Sequence, residues 1–221
     1  MANILAIETS SEACSLALSY NKKVVSFHEE MPKQHTEKLL GILEDMMKKE
    51  SMDFCELDAI AAGCGPGSFT GIRLACSVVQ GLAYSSSIPA IRVSSLEIMA
   101  EHVNKKHHVK DVVTLVDAHM KQLYLGRFVY DRQGLFSSKE EALEVKDFCT
   151  SNFNSNTCFV GNGCELVKSK IDKLKSKVYL HLPNAIDLLS LAKKKFEKGE
   201  TVSPEKLLPI YLTGEEHWVK S

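Results

Sequence analysis

The sequence predicts an α/β protein with mixed β-sheets. Apolar segments of strand length alternate with longer segments of helical periodicity, and the order βββαβα can be read once in each half of the chain. A composition of 44% hydrophobic and 25% charged residues among 221 is ordinary for a globular protein with one or two cores. The simplest division places one unit at residues 1–106 and a second at residues 107–221, with the option that the last segment packs back on the first unit.

The first half contains three strands followed by a helix, a strand and a second helix. Residues 14–20 alternate between larger and smaller side chains, which is typical of a strand with one face toward a core. Residues 36–50 carry apolar side chains at helical spacing, after Pro32. The predicted elements are strands at residues 3–9, 14–20, 24–30 and 57–63 and helices at about 36–50 and 70–84.

The second half repeats this order with little sequence identity to the first. A turn at residues 131–134 separates two strand patterns, and a glycine pair at Gly161 and Gly163 ends a short apolar segment. The predicted elements are strands at residues 111–118, 122–130, within 135–145 and at 158–160, and helices at 165–175 and 185–197.

Charge and cysteine content narrow the function classes. A net charge of −1 gives no global field toward nucleic acid or membrane, and the lysines of residues 168–177 and 193–198 fit a solvated helix face better than an RNA contact. The seven cysteines form no Cys-x-x-Cys pair, which argues against a zinc site and predicts free thiols in a reducing compartment. No apolar run has membrane-spanning length, and the opening residues do not follow a signal-peptide pattern, so we expect a cytoplasmic protein without a membrane partner.

The most informative stretch is a glycine-rich loop at residues 64–73, which follows an apolar strand and leads into a helix. Its three glycines allow left-handed backbone conformations and close approach to another surface, while Ser68 and Thr70 can each cap the helix. A helix start suits anions, but the stretch lacks the lysine of a P-loop and the glycine spacing of a dinucleotide fingerprint. From the residues alone, a ligand-binding loop and a purely structural turn both stay open.

The segment Gly65-Pro66-Gly67-Ser68-Phe69-Thr70-Gly71-x-Arg73 resembles the signature of the TsaB (YeaZ) family. That family acts in making threonylcarbamoyladenosine (t6A), the modified base beside the anticodon of certain tRNAs. The resemblance covers nearly the whole chain, because further stretches follow the family's order at residues 4–18, 35–40, 93–96, 117–124, 160–163 and 209–212.

The resemblance implies both a fold and a role. The fold would be a reduced version of the duplicated actin/Hsp70/sugar-kinase-like fold, with two subdomains whose mixed sheets are flanked by helices. The chain would be a non-catalytic scaffold and activator subunit that forms a heterodimer with the catalytic subunit TsaD, within a larger complex that includes the ATPase TsaE. Alone it would form a homodimer. It would have no cofactor of its own, ATP or ADP would lie at the interface with partner subunits, and tRNA would be reached only indirectly through the complex.

Two helices are predicted to bind the partner. The helix at residues 70–84 is apolar almost all round, which indicates burial on more than one side. In the family, this helix and the one before it pair with their counterparts in TsaD; the alternative is that the second domain covers both. The predicted partner-binding residues are Leu39, Leu40, Leu43, Met46, Met47, Ile72, Ala75, Cys76, Val79, Leu82 and Ala83. We expect Val79→Glu to abolish partner binding and leave the fold intact.

Four residues are predicted to lie near a nucleotide: Glu8, Thr9, Ser10 and Asp117. ATP-using members of this fold have a glycine in the first turn, which this chain lacks, and Glu8 stands where the family has aspartate, so we expect no catalytic residue and no ATP hydrolysis. Asp117 ends a strand, where it could contact magnesium or ribose or could cap the turn that follows. The chain has no His-x-x-x-His pair of the kind that binds metal in TsaD, so no metal ligands are predicted.

Three residues depart from the family pattern, which has arginine at or near each position: Cys64, His119 and Thr213. Cys64 lies beside a helix start, where the pKa of a thiol could be lowered.

Two other classes of function stay open. One is a stand-alone ATPase or peptidase, and the other is a binding module that mainly dimerises or touches RNA directly.

Overall fold

The computed structural model describes residues 2–131 and 134–212, and Thr213 lies outside them. The described chain forms two compact units. The first comprises residues 2–98 and 183–210, and the second comprises residues 99–131, 134–182 and 211–212. The unit changes within the helix Ser95–His107 and again at residue 183, whereas the expected division was a boundary after residue 106 with the option that the last segment packs back on the first unit.

Ten strands and five α-helices make up these units. The strands are β1 Ile4–Glu8, β2 Ala13–Tyr20, β3 Lys23–Glu30, β4 Ala59–Gly63, β5 Ala90–Val93, β6 Asp111–Asp117, β7 Gln122–Asp131, β8 Gly134–Glu144, β9 Cys158–Val160 and β10 Val178–Tyr179. The helices are α1 His35–Lys49, α2 Phe69–Ser85, α3 Ser95–His107, α4 Lys168–Asp172 and α5 Ala185–Glu197. No helix in the described part of the chain is both long and apolar enough to cross a membrane.

The first unit is a five-stranded sheet covered by helices on both faces. Its strand order is β3-β2-β1-β4-β5, and β1 pairs antiparallel with β2 and parallel with β4. Successive residues of a strand point to opposite faces. Leu5 and Ile7 therefore pack with residues of α1 and α2, while Ile4 and Ala6 pack with residues of α5. The central strands β1 and β4 are buried along their whole length and are apolar except for Glu8, because both faces are enclosed.

Helix α5 belongs to the first unit, although the sequence pattern assigned it to the second half. Its apolar stripe covers the face of the sheet opposite α1 and α2, which would otherwise be exposed. Two hydrogen bonds fix the start of the helix: Asn184 Oδ1 accepts the N–H of Ile186 at 2.9 Å, and Ser15 Oγ on β2 accepts the N–H of Ala185 at 2.9 Å. The buried residues of the stripe are Ala185, Leu188, Leu189, Leu191 and Ala192.

The second unit contains a sheet of strand order β10-β9-β6-β7-β8. Strand β6 pairs antiparallel with β7 and parallel with β9. One face of this sheet packs against α4 and the 3-10 turn Asn162–Val167, through Val113, Leu115 and Phe159. The helix predicted at residues 165–175 is thus shorter than expected, since its first part is a 3-10 turn and its last residues are outside α4.

Candidate functional site

The glycine loop joins β4 to α2, and its backbone has the conformations that the sequence indicates. Gly65 has φ of +89°, in the left-handed region that favours glycine. Ser68 is the N-cap of α2, and its Oγ accepts the N–H of Gly71 at 3.3 Å. Thr70 is not a cap, because it lies inside the first turn of the helix.

The loop packs on the turn between β1 and β2. The N–H of Ser68 donates to the carbonyl oxygen of Ser10 at 2.7 Å, and Thr9 Oγ1 donates to the carbonyl oxygen of Gly71 at 2.7 Å. A Cβ on Gly67 would lie 2.4 Å from the oxygen of Ser10. Gly67 is therefore required because the chain's own backbone approaches the loop at this point.

Glu8 is the last residue of β1, directly before this turn, and is fully buried. Its Oε1 accepts the N–H of Ser10, and its Oε2 accepts the Ser95 hydroxyl at 3.2 Å. Burial raises the pKa of Glu8, and the hydrogen bonds from Ser10 and Ser95 oppose that rise. A Cβ on Gly63 would lie 1.7 Å from Oε2, so this glycine makes room for the carboxyl group. The carboxyl therefore closes a buried polar network.

The first three of the predicted nucleotide-proximal residues are enclosed by the protein. Glu8 and Thr9 are 0% exposed and Ser10 is 4% exposed. Their polar atoms bind the glycine loop, Ser95 and each other. In this conformation a nucleotide could not contact their side chains directly.

Asp117, the fourth of these residues, ends β6 in the second unit. Its Oδ1 accepts the N–H of His119 at 2.8 Å, and its own N–H donates to Asn162 Oδ1 at 3.0 Å. His119, Met120 and Lys121 have φ of +63°, +47° and +63°, which is uncommon for residues with a side chain. Asp117 thus caps a strained turn, which was the structural alternative for this residue. His119 Nδ1 lies 3.9 Å from Asp117 Oδ2.

Cys64 does not have the activated thiol that its place beside a helix start suggested. It is buried, and its Sγ lies 3.7 Å from Sγ of Cys76. The contact with the Cys76 thiol and then burial raise the pKa of Cys64 well above its usual range. A lowered pKa, which the position beside a helix start left possible, is therefore not supported, because burial and the neighbouring thiol outweigh the helix start.

Most of the residues predicted to bind a partner are in the core of the first unit. Nine of the eleven are buried, and all of these except Ile72 belong to the core cluster against the sheet: Leu39, Leu43, Met46, Met47, Ile72, Ala75, Cys76, Val79 and Ala83. Only Leu40 and Leu82 reach the surface, Leu40 with 57% exposure. The expectation for Val79→Glu therefore needs correction, because Val79 is 0% exposed and a carboxylate there would disrupt the core.

The exposed faces of α1 and α2 form a different surface, which we call the outer helix surface: Leu40, Gly41, Phe69, Arg73, Ser77, Gly81 and Tyr84. The guanidinium of Arg73 lies 3.4 Å from the centroid of the Phe69 ring. Gly41 and Gly81 lie inside helices, and a Cβ on either would meet no atom within 4 Å. Sequence reasoning missed this surface, although a glycine inside a helical pattern is a readable signal.

Known proteins resemble this chain over almost its whole length. Residues 28–216 match the family described as TsaD: tRNA N6-adenosine threonylcarbamoyltransferase. The chain is 34% identical to the tRNA threonylcarbamoyladenosine biosynthesis protein TsaB of Escherichia coli K12, over 98% of this chain and 97% of that protein. The protein of the same name from Haemophilus influenzae is 31% identical, over 98% of this chain and 96% of that protein.

A solved structure has the same fold. YeaZ from Pseudomonas aeruginosa is similar with a TM-score of 0.88 and 33% sequence identity, covering 96% of this chain and 100% of that one. Two mixed sheets flanked by helices, together with these matches, confirm the predicted fold class, the duplicated actin/Hsp70/sugar-kinase-like fold.

Proposed function

The chain belongs to the TsaB (YeaZ) family, and from this membership we propose that it is a non-catalytic scaffold and activator subunit of the t6A transferase complex. Curated relatives are named as tRNA threonylcarbamoyladenosine biosynthesis proteins. The chain is also related to the TsaD transferase family through residues 28–216. In our proposal TsaD carries out the transfer, and this chain binds TsaD through α1 and α2.

The observation that carries the proposal is the pair of exposed glycines on the outer helix surface. A glycine inside a helix lowers the stability of that helix by about 0.5–1 kcal/mol relative to alanine. Within residues 2–131 and 134–212 nothing requires these glycines to lack a side chain, since a Cβ on Gly41 or Gly81 would meet no atom within 4 Å. Close approach of a helix from another subunit would explain both glycines, because a helix backbone can approach nearest where there is no side chain.

Apolar side chains beside the glycines support the same role. Leu40 precedes Gly41 and is 57% exposed, and Tyr84 follows Gly81 by one turn and is 69% exposed. Leu74, Val78 and Leu82 lie along one side of α2 and are half-buried in the free chain. A partner helix would remove this apolar surface from water.

The glycine loop supports a non-catalytic role. Three of its N–H groups are already bound within the chain, those of Gly65 to Ser95, Ser68 to Ser10 and Gly71 to Ser68. A phosphate cradle needs such donors free and convergent. We therefore propose that the chain has no nucleotide of its own, and that any ATP or ADP is held at the interface with partner subunits.

The remaining assignments complete the proposal. The chain forms a homodimer in the absence of TsaD, joins TsaE in a larger complex, and is located in the cytoplasm. The net charge of −1 supports a chain that does not hold tRNA tightly by itself. The tRNA then reaches this subunit through the assembled complex.

Size-exclusion chromatography with light scattering tests the proposal, on this chain alone and mixed with TsaD from the same organism. We expect the homodimer to convert to a one-to-one heterodimer. Gly81→Leu should prevent this conversion, because it adds a side chain at the closest point of approach on α2. Glu197→Leu adds the same exposed side chain on α5 and should bind TsaD normally.

Two results would contradict the proposal in different ways. If the wild-type chain ignores TsaD, the scaffold role is wrong. If Gly81→Leu binds TsaD as well as Glu197→Leu does, the partner does not bind at the outer helix surface.

A further inference from the structure

The two units differ in net charge. Residues 99–182, the long segment of the second unit, contain 13 Lys and Arg against 10 Asp and Glu, a net charge of +3. The two segments of the first unit contain 13 Lys and Arg against 16 Asp and Glu, a net charge of −3. The near-zero charge of the whole chain therefore conceals a division between an acidic and a basic unit.

The basic residues of the second unit meet where α3 ends beside β10. The ring of His107 stacks on the ring of Tyr179, with centroids 4.2 Å apart and planes 14° apart. Partial desolvation lowers the pKa of His107, and so do the positive charges of Lys106, His102, Lys177 and His108. Lys106 adjoins His107 at the end of α3, and Lys177 precedes Tyr179 by two residues. We call Lys106, His107, His108, Lys177 and Tyr179 the basic surface.

Two acidic residues near the basic surface in the sequence, one on α3 and one at the start of β6, already have partners. Glu101 on α3 is buried and binds Lys105 at 3.3 Å, and Asp111 at the start of β6 binds Arg127 at 3.0 Å and Thr157 at 2.7 Å. Within residues 2–131 and 134–212, neither Lys106 nor Lys177 forms an ion pair. The two lysines are exposed, so their charges face solvent uncompensated.

The neighbouring lysines of α4 differ in this respect. Lys168 pairs with Glu165 at 3.5 Å, and Lys170 donates to the carbonyl oxygens of Lys146 and Phe148 at 3.2 and 2.7 Å. These side chains have structural partners, as a solvated helix face usually does. The basic surface is therefore a specific subset of the lysines in this unit.

We propose that the basic surface contacts the phosphate backbone of the RNA that the complex modifies, an inference that rests on the proposed function. Uncompensated lysines bind RNA phosphates by releasing counterions. The stacked pair of exposed His107 and half-buried Tyr179 adds an aromatic group on which an unpaired base can stack, which favours RNA over an acidic protein. The contact is weak in the isolated chain and adds to the affinity of the assembled complex.

Fluorescence anisotropy with an end-labelled, unmodified tRNA transcript tests this proposal, on the complex with TsaD and on the chain alone at low salt. We expect Lys106→Glu combined with Lys177→Glu to weaken tRNA binding by the complex about tenfold, and to reduce the slope of log K against log salt by about 1.5. His107→Ala should weaken binding and His107→Phe should restore it. The matched control is Lys198→Glu, which reverses an exposed charge at the end of α5 in the first unit.

The outcomes of these titrations test the RNA contact independently of the scaffold role. If the double variant binds tRNA as the Lys198→Glu control does, in the complex and alone, the RNA contact is wrong even where TsaD binding is intact. If polyglutamate of similar length displaces the labelled tRNA as effectively as unlabelled tRNA does, the surface is not an RNA site. If the chain fails to bind TsaD, the titrations of the chain alone still discriminate between the double variant and the control.

Discussion

The carbonyl oxygen of Thr9 lies 1.9 Å from the point where a Cβ on Gly71 would stand. The same two residues are joined by a hydrogen bond of 2.7 Å from Thr9 Oγ1 to the carbonyl oxygen of Gly71. The first turn of α2 is thus fixed on the turn between β1 and β2. This contact orients the helix whose outer face we assign to the partner.

The glycines of α2 should respond in opposite ways to alanine. Gly71→Ala forces backbone apart and should lower the free energy of unfolding by about 3 kcal/mol. Gly81→Ala meets open space and should raise it by about 0.5–1 kcal/mol. Urea unfolding followed by circular dichroism measures both changes. Equal effects of the two substitutions would show that the Thr9 contact does not constrain the helix.

A carboxylate introduced on the buried side of α2 should affect folding, whereas one introduced on the exposed side of α1 should affect partner binding only. Val79→Glu places a carboxylate in the core and should remove the cooperative unfolding transition, at a cost above about 4 kcal/mol. Leu40→Glu is on the exposed face of α1 and should change stability by no more than about 0.5 kcal/mol while it abolishes TsaD binding. Thermal unfolding and co-elution with TsaD measure the two effects. A folded Val79→Glu variant would refute the burial of this residue.

Glu8 should make the protein less stable as pH rises. Its pKa in the folded state is raised above the ordinary value of 4.5, so between those two values the folded protein holds a proton that the unfolded chain has lost. The stabilisation is fully present below pH 4.5 and is lost as pH rises through the folded pKa. Glu8→Gln keeps the hydrogen bond from Ser10 and should remove this pH dependence.

Urea titrations of wild type and Glu8→Gln between pH 5 and pH 8 measure the free energy of unfolding. This range lies above the ordinary pKa of 4.5 because the pKa of Glu8 is raised in the folded protein. Glu12→Gln, on the same turn and exposed, is the control and should keep the wild-type profile. Parallel profiles for wild type and Glu8→Gln would mean that Glu8 does not couple folding to protonation.

We expect Asp117 to stabilise the turn that follows it and to have no part in ATP hydrolysis. Asn at this position retains an oxygen that can accept the N–H of His119, so Asp117→Asn should leave stability nearly unchanged, whereas Asp117→Ala should cost about 1 kcal/mol. Phosphate release from ATP should be at background for wild type and both variants. Hydrolysis by the wild type that Asp117→Asn abolishes would instead support the stand-alone ATPase class.

Local pattern explains which elements could be predicted. The first four strands and helices α1 and α2 follow from hydrophobic periodicity, which needs only neighbouring residues. Strand β5 and strand β10 were missed because four and two residues are too few to show a period. Helix α3 was missed as well, although it has 13 residues and three basic residues in its last turn.

Fold class, family and glycine loop could be predicted from the sequence, because periodicity and a compact motif are properties of adjacent residues. The buried faces of α1 and α2 could not be predicted, since both helices carry apolar residues on more than one side and packing on the sheet selects one of them. Tertiary packing also brought Glu8 to Ser95 across 87 positions and returned α5 to the first sheet. Such contacts depend on how elements pack in space, and no local pattern records them.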